Sequence, residues 1–273
     1  MKNKYLIVLD LDGTLLPSNK RIPLLTKYYL RRINKKVCPI ILASGRPARS
    51  IKKFYNILKL NTPIIALNGL HIHYPNKPSL DKRYYCDPKK IKEISEHVAK
   101  EFDINNIICE TDKEIYITND KAYLDKRFWL TNMKVKYGTL ENNIKHKVMT
   151  HIIELKDASF DDNKIKNLVS SHPHYLARCW VGKFRGYIEI YQDINNKYLA
   201  IKNLCKELNI NEDNVIAFGD DLNDIDMLKK LKNAYAMKNS LDNIKAISHH
   251  ISEFDNEHEG VRKELKVILK NLR

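Results

Sequence analysis

The chain of 273 residues is 43% hydrophobic and 30% charged, with 8 Gly and 9 Pro. That balance excludes collagen-like, low-complexity and disordered classes and leaves a globular protein of one large or two ordinary domains. Its formal net charge of +15 raises nucleic acid or an acidic membrane surface as partners, although a general richness in Lys, Asn and Ile accounts for the charge equally well.

In chain order, the apolar run over 5–9 opens the fold as a short buried strand. Asp10 interrupts it, no small-residue cleavage site follows, and no stretch approaches ~20 apolar residues, so neither a leader nor a membrane span is expected. A helix over 24–33, a strand over 39–43, a helix over 51–58 and a strand over 63–67 come next, the helices carrying apolar residues at spacings of three and four. The middle of the chain, from about 83 to 189, reads differently. It holds a helix over 88–102, alternating strands over 114–118 and 149–155, a helix over 161–171, and two strands around Gly182 and Gly186. A helix over 198–208, a strand over 215–218 and a helix over 225–231 then resume the first pattern. The expected fold is α/β, with a doubly wound parallel-sheet, Rossmann-like core formed by 1–82 and 190–273 and an α+β domain inserted over 83–189.

Residues 1–82 hold sixteen Lys and Arg against three Asp and Glu. Most lie around the first two helices: Lys27, Arg31, Arg32, Lys35 and Lys36, then Arg46, Arg49, Lys52, Lys53 and Lys59. Solvated outer faces explain such runs more simply than a nucleic-acid surface. Cys38, Cys86, Cys109, Cys179 and Cys205 are odd in number and far apart, so neither a disulfide framework nor a paired C-x-x-C site is indicated, and a reducing, cytoplasmic setting fits best.

Open α/β sheets bind ligands at the carboxyl ends of their strands, and each core strand here ends in reactive or anion-binding residues. Asp10 to Thr14 follow the first, Ser44, Gly45 and Arg46 the second, Asn68 and Gly69 the third, and Gly219 to Asp224 the strand over 215–218. Asp10 and Asp12, two apart at a strand end, project to one side and need a cation or a shared proton. Asp220 and Asp224 bring further carboxylates, and oxygen-only ligands select a hard ion such as Mg²⁺; acidic capping of the helix near Asp224 is the plainer reading of those two alone. An EF-hand is excluded, because Leu15 and Arg21 stand where its loop needs Gly and Glu. Neither a P-loop nor G-x-G-x-x-G is present.

Together these residues resemble the haloacid dehalogenase-like phosphatases of the Cof type. The resemblance rests on DLDGTLL over 10–16, ASGR over 43–46, LNG over 67–69, Lys197, GDDLNDIDML over 219–228 and EHEGV over 257–261, and it spans essentially the whole chain. It implies that Asp10 is a nucleophile forming an aspartyl phosphate and that Asp12 is the general acid and base. It implies Mg²⁺ held by Asp10, Asp220 and the carbonyl of Asp12, with Asp224 also in the metal's surroundings. Ser44, Gly45, Arg46, Asn68, Gly69, Lys197 and Asn223 would hold phosphate or substrate, Lys197 as a point charge. Two positions depart from the family pattern: Tyr198 stands where Gly usually follows the lysine, and Lys238-Asn239-Ser240 replaces Gly-Asn-Ala.

The expected activity is Mg²⁺-dependent hydrolysis of small phosphorylated metabolites, with no membrane partner and with the inserted domain choosing the substrate. A phosphomutase of the same fold is the alternative within the family, and a nucleic-acid-binding protein using the basic N-terminal segment is the alternative outside it. His71-x-His73 and His172-x-His174 have a metal pair's spacing, but neither has a nearby third ligand. Lys82 to Tyr85 and Lys126 to Trp129 mix cations with aromatics, which amphipathic packing explains.

Overall fold

A computed structural model describes residues 5–111, 113–119, 133–140, 147–182 and 185–271; the Lys126 to Trp129 run lies outside the described residues. The chain forms two compact units, residues 1–82 with 196–273, and residues 83–195. The second junction lies beyond the 189/190 boundary expected from sequence, because the last strand of the inserted unit runs on to Gln192.

The first unit is built on a parallel sheet. Its strands are β1 (Leu6–Leu9), β2 (Ile40–Leu42), β12 (Val215–Gly219), β13 (Asn233–Ala236) and β14 (His250–Ile251), in the order β14-β13-β12-β1-β2. Beyond β2 lies β3 (Ile64–Ala66), joined by a parallel bridge between Ala43 and Ile65 and by the Ser44 amide donating to the Ile65 carbonyl at 2.9 Å. β3 pairs antiparallel with β4 (His71–His73), and β5 (Lys82–Arg83) completes that edge.

Strands β1, β2, β3 and β12 are apolar at every position because both sheet faces are covered there. Ile7, Leu9, Ile40, Leu42, Ile64, Ala66, Ile216 and Phe218 enter one cluster, with α1 (Leu24–Lys36), α2 (Ala48–Leu58) and α8 (Gly260–Asn271). Their sequence neighbours Leu6, Val8, Ile41, Ala43, Ile65, Val215 and Ala217 enter the other, with α5 (Lys197–Leu208), α6 (Ile225–Lys230) and α7 (Asp242–Ile247). The strand period of two thus divides each run between two cores.

Local signals set the helix ends. α2 begins at Ala48, before the position expected, because Pro47 supplies the N-cap with fixed φ, and it ends on Lys59 in the left-handed region. Asn196 caps α5 by accepting from the Leu199 amide, and Asn209 ends it with φ 53°.

The second unit holds an antiparallel sheet with one parallel pair, in the order β10-β11-β9-β6-β7-β8. These strands are β6 (Ile104–Glu110), β7 (Glu114–Ile117), β8 (Lys134–Tyr137), β9 (Thr150–Leu155), β10 (Tyr175–Cys179) and β11 (Tyr187–Gln192). Helices α3 (Pro88–Ala99) and α4 (Asp162–Ser170), each opened by an Asp N-cap, pack through Ile91, Ile94, Ile165 and Val169 against one face. No helix among the described residues is long and apolar enough to cross a membrane.

Candidate active site

All the strand-end segments singled out above belong to the first unit. β1 ends at Leu9, and Asp10 follows with its amide donating to the Phe218 carbonyl of β12 at 3.1 Å. The chain then turns sharply, with Leu16 donating back to Leu11 at 2.8 Å and Gly13 at φ 79°. Gly13 is required twice over: it holds a left-handed φ, and a Cβ there would lie 2.0 Å from Asp220 Oδ2. On β12 only the second reason applies to Gly219, where a Cβ would meet Asp224 Cγ at 2.5 Å.

Four charged side chains converge there. Lys197, at the start of α5 and 1% exposed, donates to Asp10 Oδ1 at 2.7 Å and to Asp224 Oδ1 at 2.8 Å. Oxygens of Asp10, Asp220 and Asp224 lie within 4.8 Å of one another. Thr14 donates to Asp220 Oδ1 at 2.6 Å. Asp224 Oδ2 accepts from the Asp220 and Asp221 amides, so both oxygens of Asp224 are already engaged. Its role in this geometry is to hold Lys197 and the loop after β12, where it also forms a reciprocal capping box with the exposed Asp221.

Burial lifts the Asp10 carboxyl to about 7; Lys197 pulls it back, and the neighbouring charges of Asp224 and Asp12 add to the rise. Burial also lifts Asp220 well above the carboxylate range, reinforced by Asp10 and Asp224. For Lys197 burial works against the charge, but Asp10 and Asp224 outweigh it and the ammonium is held above its ordinary value. Three carboxyl groups, Asp10 and Asp224 buried and Asp220 half-buried, thus surround a single ammonium that pairs with only two of them. A hard divalent cation fits this donor set, since it would offset the carboxylates that Lys197 leaves uncompensated.

Asp12 is placed differently. Its carboxylate accepts from Arg46 Nε at 2.5 Å and Nη2 at 2.6 Å, and from Lys20 Nζ at 2.8 Å. Burial favours the neutral form, but these hydrogen bonds and charges win and hold Asp12 below the usual carboxylate range. Arg46, expected at the phosphate, is therefore directed to Asp12 and Ser50. Ser44 is buried, and its Oγ accepts from the Arg46 amide at 3.3 Å.

The segment after β3 is tied to both neighbouring loops. The Asn68 amide donates to the Ser44 carbonyl at 3.1 Å, and Asn223 Nδ2 donates to Asn68 Oδ1 at 2.9 Å. Asn68 adopts φ 56°. Gly45 lies against the Asn68 side chain, and a Cβ on Gly69 would strike the Asn196 carbonyl at 2.5 Å. Ser44, Gly45, Asn68, Gly69, Asn223 and Lys197 thus belong to one connected set of loops.

Three contributors were not singled out individually from sequence. Thr14 positions Asp220, Lys20 holds Asp12, and Asn239 donates to the Gly13 carbonyl at 2.8 Å. Thr14 and Asn239 lie inside quoted motifs, which is the available signal, and the Asn239 bond survives the flanking departures at Lys238 and Ser240. Tyr198 instead faces Glu212, to which its hydroxyl donates at 3.0 Å. Glu257 and Glu259 of the last motif bind Ser18 and Thr26, so they brace the loop after β1 and helix α1. Of the basic residues near α1 and α2, Arg32, Lys35, Lys36, Lys52, Lys53 and Lys59 are exposed, whereas Arg31 donates to the Ile57 carbonyl.

The sequence profile of the haloacid dehalogenase-like hydrolases matches residues 7–265. The chain is 28% identical over 96% of its length to the 5-amino-6-(5-phospho-D-ribitylamino)uracil phosphatase YitU of Bacillus subtilis, of which it covers 96%. It is 24% identical over 88% of its length to the pyridoxal phosphate phosphatase YbhA of Escherichia coli, of which it covers 90%. Among solved structures, a haloacid dehalogenase-like hydrolase from Bacteroides thetaiotaomicron superposes with a TM-score of 0.76 at 25% identity, covering 97% of this chain and 99% of that one. A profile match of that extent, on a parallel sheet whose strand ends carry Asp10 and Asp220 with Lys197 reaching in from the start of α5, shows that the chain belongs to the haloacid dehalogenase-like hydrolases, in their phosphatase branch.

Proposed function

We propose that the protein is a Mg²⁺-dependent phosphatase acting on small phosphorylated metabolites in the cytoplasm through an aspartyl phosphate on Asp10. The observation that carries this reading is the buried Asp10 carboxyl, held by Lys197 at 2.7 Å beside the Asp220 and Asp224 carboxyl groups.

In the first half-reaction, the Asp10 carboxylate attacks phosphorus and the bond to the leaving oxygen breaks, while a protonated Asp12 gives its proton to that oxygen. In the second, Asp12 takes a proton from water, whose oxygen attacks phosphorus and releases phosphate from Asp10. The proton that Asp12 gives to the leaving oxygen is replaced by one from the attacking water, so the site returns to its starting state. Arg46 and Lys20, by binding the carboxylate form of Asp12, favour giving that proton up. Lys197 offsets charge on Asp10 and the transferring group without moving, since Asp224 fixes it from the other side. Mg²⁺ would be held by Asp10, Asp220 and the carbonyl of Asp12; when bound it supplies positive charge against the phosphate dianion.

The unit over 83–195 leaves the chain after Lys82 and returns directly before Asn196 and Lys197. We assign substrate selection to it, in keeping with the family resemblance.

A panel of metabolite phosphates assayed with Mg²⁺ tests the proposal. The substrates named for the two relatives, 5-amino-6-(5-phospho-D-ribitylamino)uracil and pyridoxal phosphate, head that panel. Free phosphate should appear, and Asp10→Asn should lower turnover by at least ~10³ with the fold intact. Activity within tenfold of the unaltered protein would refute the nucleophile. Transfer to a second sugar hydroxyl in place of phosphate release would establish a mutase.

A further inference from the structure

The first unit holds a second cluster of metal-ligating side chains. It uses none of the residues assigned to phosphoryl transfer. β4 runs antiparallel to β3, with His71 opposite Ala66 and His73 opposite Ile64. Two residues apart on a strand, His71 and His73 project from one face, and their rings lie 5.4 Å apart at an interplanar angle of 57°. The sequence reading found no third group for this pair. The structure supplies one in Asp81, which the turn after β4 brings back against the strand.

Asp81 Oδ2 lies 3.0 Å from His71 Nε2 and 2.9 Å from His73 Nδ1. Its Oδ1 accepts from the Tyr74 amide at 2.7 Å. That amide fixes the carboxylate, leaving the other oxygen to face both imidazoles. The Asp81 side chain is 1% exposed and that of His71 9%, while His73 keeps 17%. One oxygen and two ring nitrogens therefore converge in a nearly dry corner that solvent reaches beside His73.

We infer that His71, His73 and Asp81 form a site for a borderline transition-metal ion of the Zn²⁺ type, distinct from the carboxylate cluster around Asp10. Tetrahedral Zn²⁺ with bonds of about 2.0–2.1 Å spaces neighbouring ligand atoms by roughly 3.3 Å. The present 3.0 and 2.9 Å spacings need to open by only a few tenths of an ångström, which is within side-chain adjustment. To bind the ion, the ring nitrogen facing Asp81 must present its lone pair, so binding displaces any proton held there. Two imidazoles and one carboxylate leave a fourth position for water. Nitrogen donors separate this site from the all-oxygen cluster, which suits Mg²⁺. An ion here would pin β4, which begins directly after Leu70 and the Leu67–Gly69 turn that presents Asn68.

The test uses the full chain, stripped with a chelator and returned to millimolar Mg²⁺ so that the carboxylate cluster is served. Calorimetric titration with Zn²⁺ should show one ion bound per chain, and the melting temperature should rise with added Zn²⁺. Losing even an outer partner of a metal site costs roughly 10–100-fold in affinity, so His73→Gln, which alters the most exposed ligand, should weaken binding by at least that factor. Asp220→Asn should leave Zn²⁺ binding intact. No binding in the presence of Mg²⁺, binding unchanged in His73→Gln, or binding lost in Asp220→Asn would each overturn the assignment. Co²⁺ titration of the unaltered protein decides without any variant. Strong visible absorption of a four-coordinate nitrogen-ligated ion supports the site, and only the faint colour of octahedral oxygen ligation refutes it.

Discussion

Gly13→Ala isolates the packing of the proposed catalytic centre from its chemistry, because it adds one methyl group and removes no functional group. The new Cβ would stand 2.0 Å from Asp220 Oδ2, 2.7 Å from its Cγ and 3.0 Å from Oδ1. To restore even the tightest tolerable contact, the carboxylate must retreat by about 1 Å. That movement breaks the 2.6 Å Thr14 hydrogen bond, a charged-acceptor bond of the kind worth about 1.5–3 kcal/mol. Holding Ala at φ 79° adds about 1–2 kcal/mol of backbone strain. A misplacement near 1 Å at a reacting centre costs on the order of 10²-fold in rate.

The expected result is a folded protein of lower melting temperature, with kcat/KM down by about 10² and a higher Mg²⁺ requirement. Titrating Mg²⁺ against hydrolysis of a simple phosphate monoester measures both. Since the damage passes through Asp220, adding Gly13→Ala to Asp220→Ala should lower activity little further. Thr14→Val, which loses the hydrogen bond without the clash, should fall between. A Gly13→Ala protein within threefold of normal kcat/KM and unchanged in its Mg²⁺ requirement would refute the placement of Asp220 in the site.

Asp220→Ala should abolish the rise in melting temperature that Mg²⁺ gives the unaltered protein, because an ion that binds only the native state stabilises it; a normal rise would show that other residues hold the ion. In the second unit, burial lowers the His151 imidazole to about 3 while its Nε2 faces Ser95 Oγ at 2.9 Å. The folded value lies below the unfolded one, so this group's stabilisation is complete above about pH 6.5 and is lost as pH falls, amounting to about 2 kcal/mol by pH 5. His151→Gln should flatten that part of the acid denaturation curve, and an unchanged curve would refute the assignment. Replacing 86–188 by a short flexible linker should leave a first unit that still responds to Mg²⁺ but no longer ranks metabolite phosphates as the full chain does; an unchanged ranking of kcat/KM would assign selection to the first unit.

Much of this protein is legible from its sequence because the signals are local. An all-apolar run as short as 6–9 reads as a strand buried on both faces, and its odd and even residues do enter separate cores. Asp10, Asp12 and Asp220 were legible as strand-end carboxylates, and Lys197 through its place in the order of motifs. Strands β6 and β13 and helix α8 were not, since Asn105 and Asn106 interrupt the first apolar run, Asn233-Ala234-Tyr235-Ala236 has little pattern, and α8 begins at the Gly260 of a recognised motif.

What tertiary structure decided is how side chains pair across long sequence separations. Arg46 grips the Asp12 carboxylate, Asp224 spends both oxygens on Lys197 and backbone amides, and Asp81 returns to His71 and His73. Strand and helix periods follow from a residue's immediate neighbours, whereas a buried charge takes whichever partner the folded chain brings within about 3 Å, and that distance has no expression in sequence.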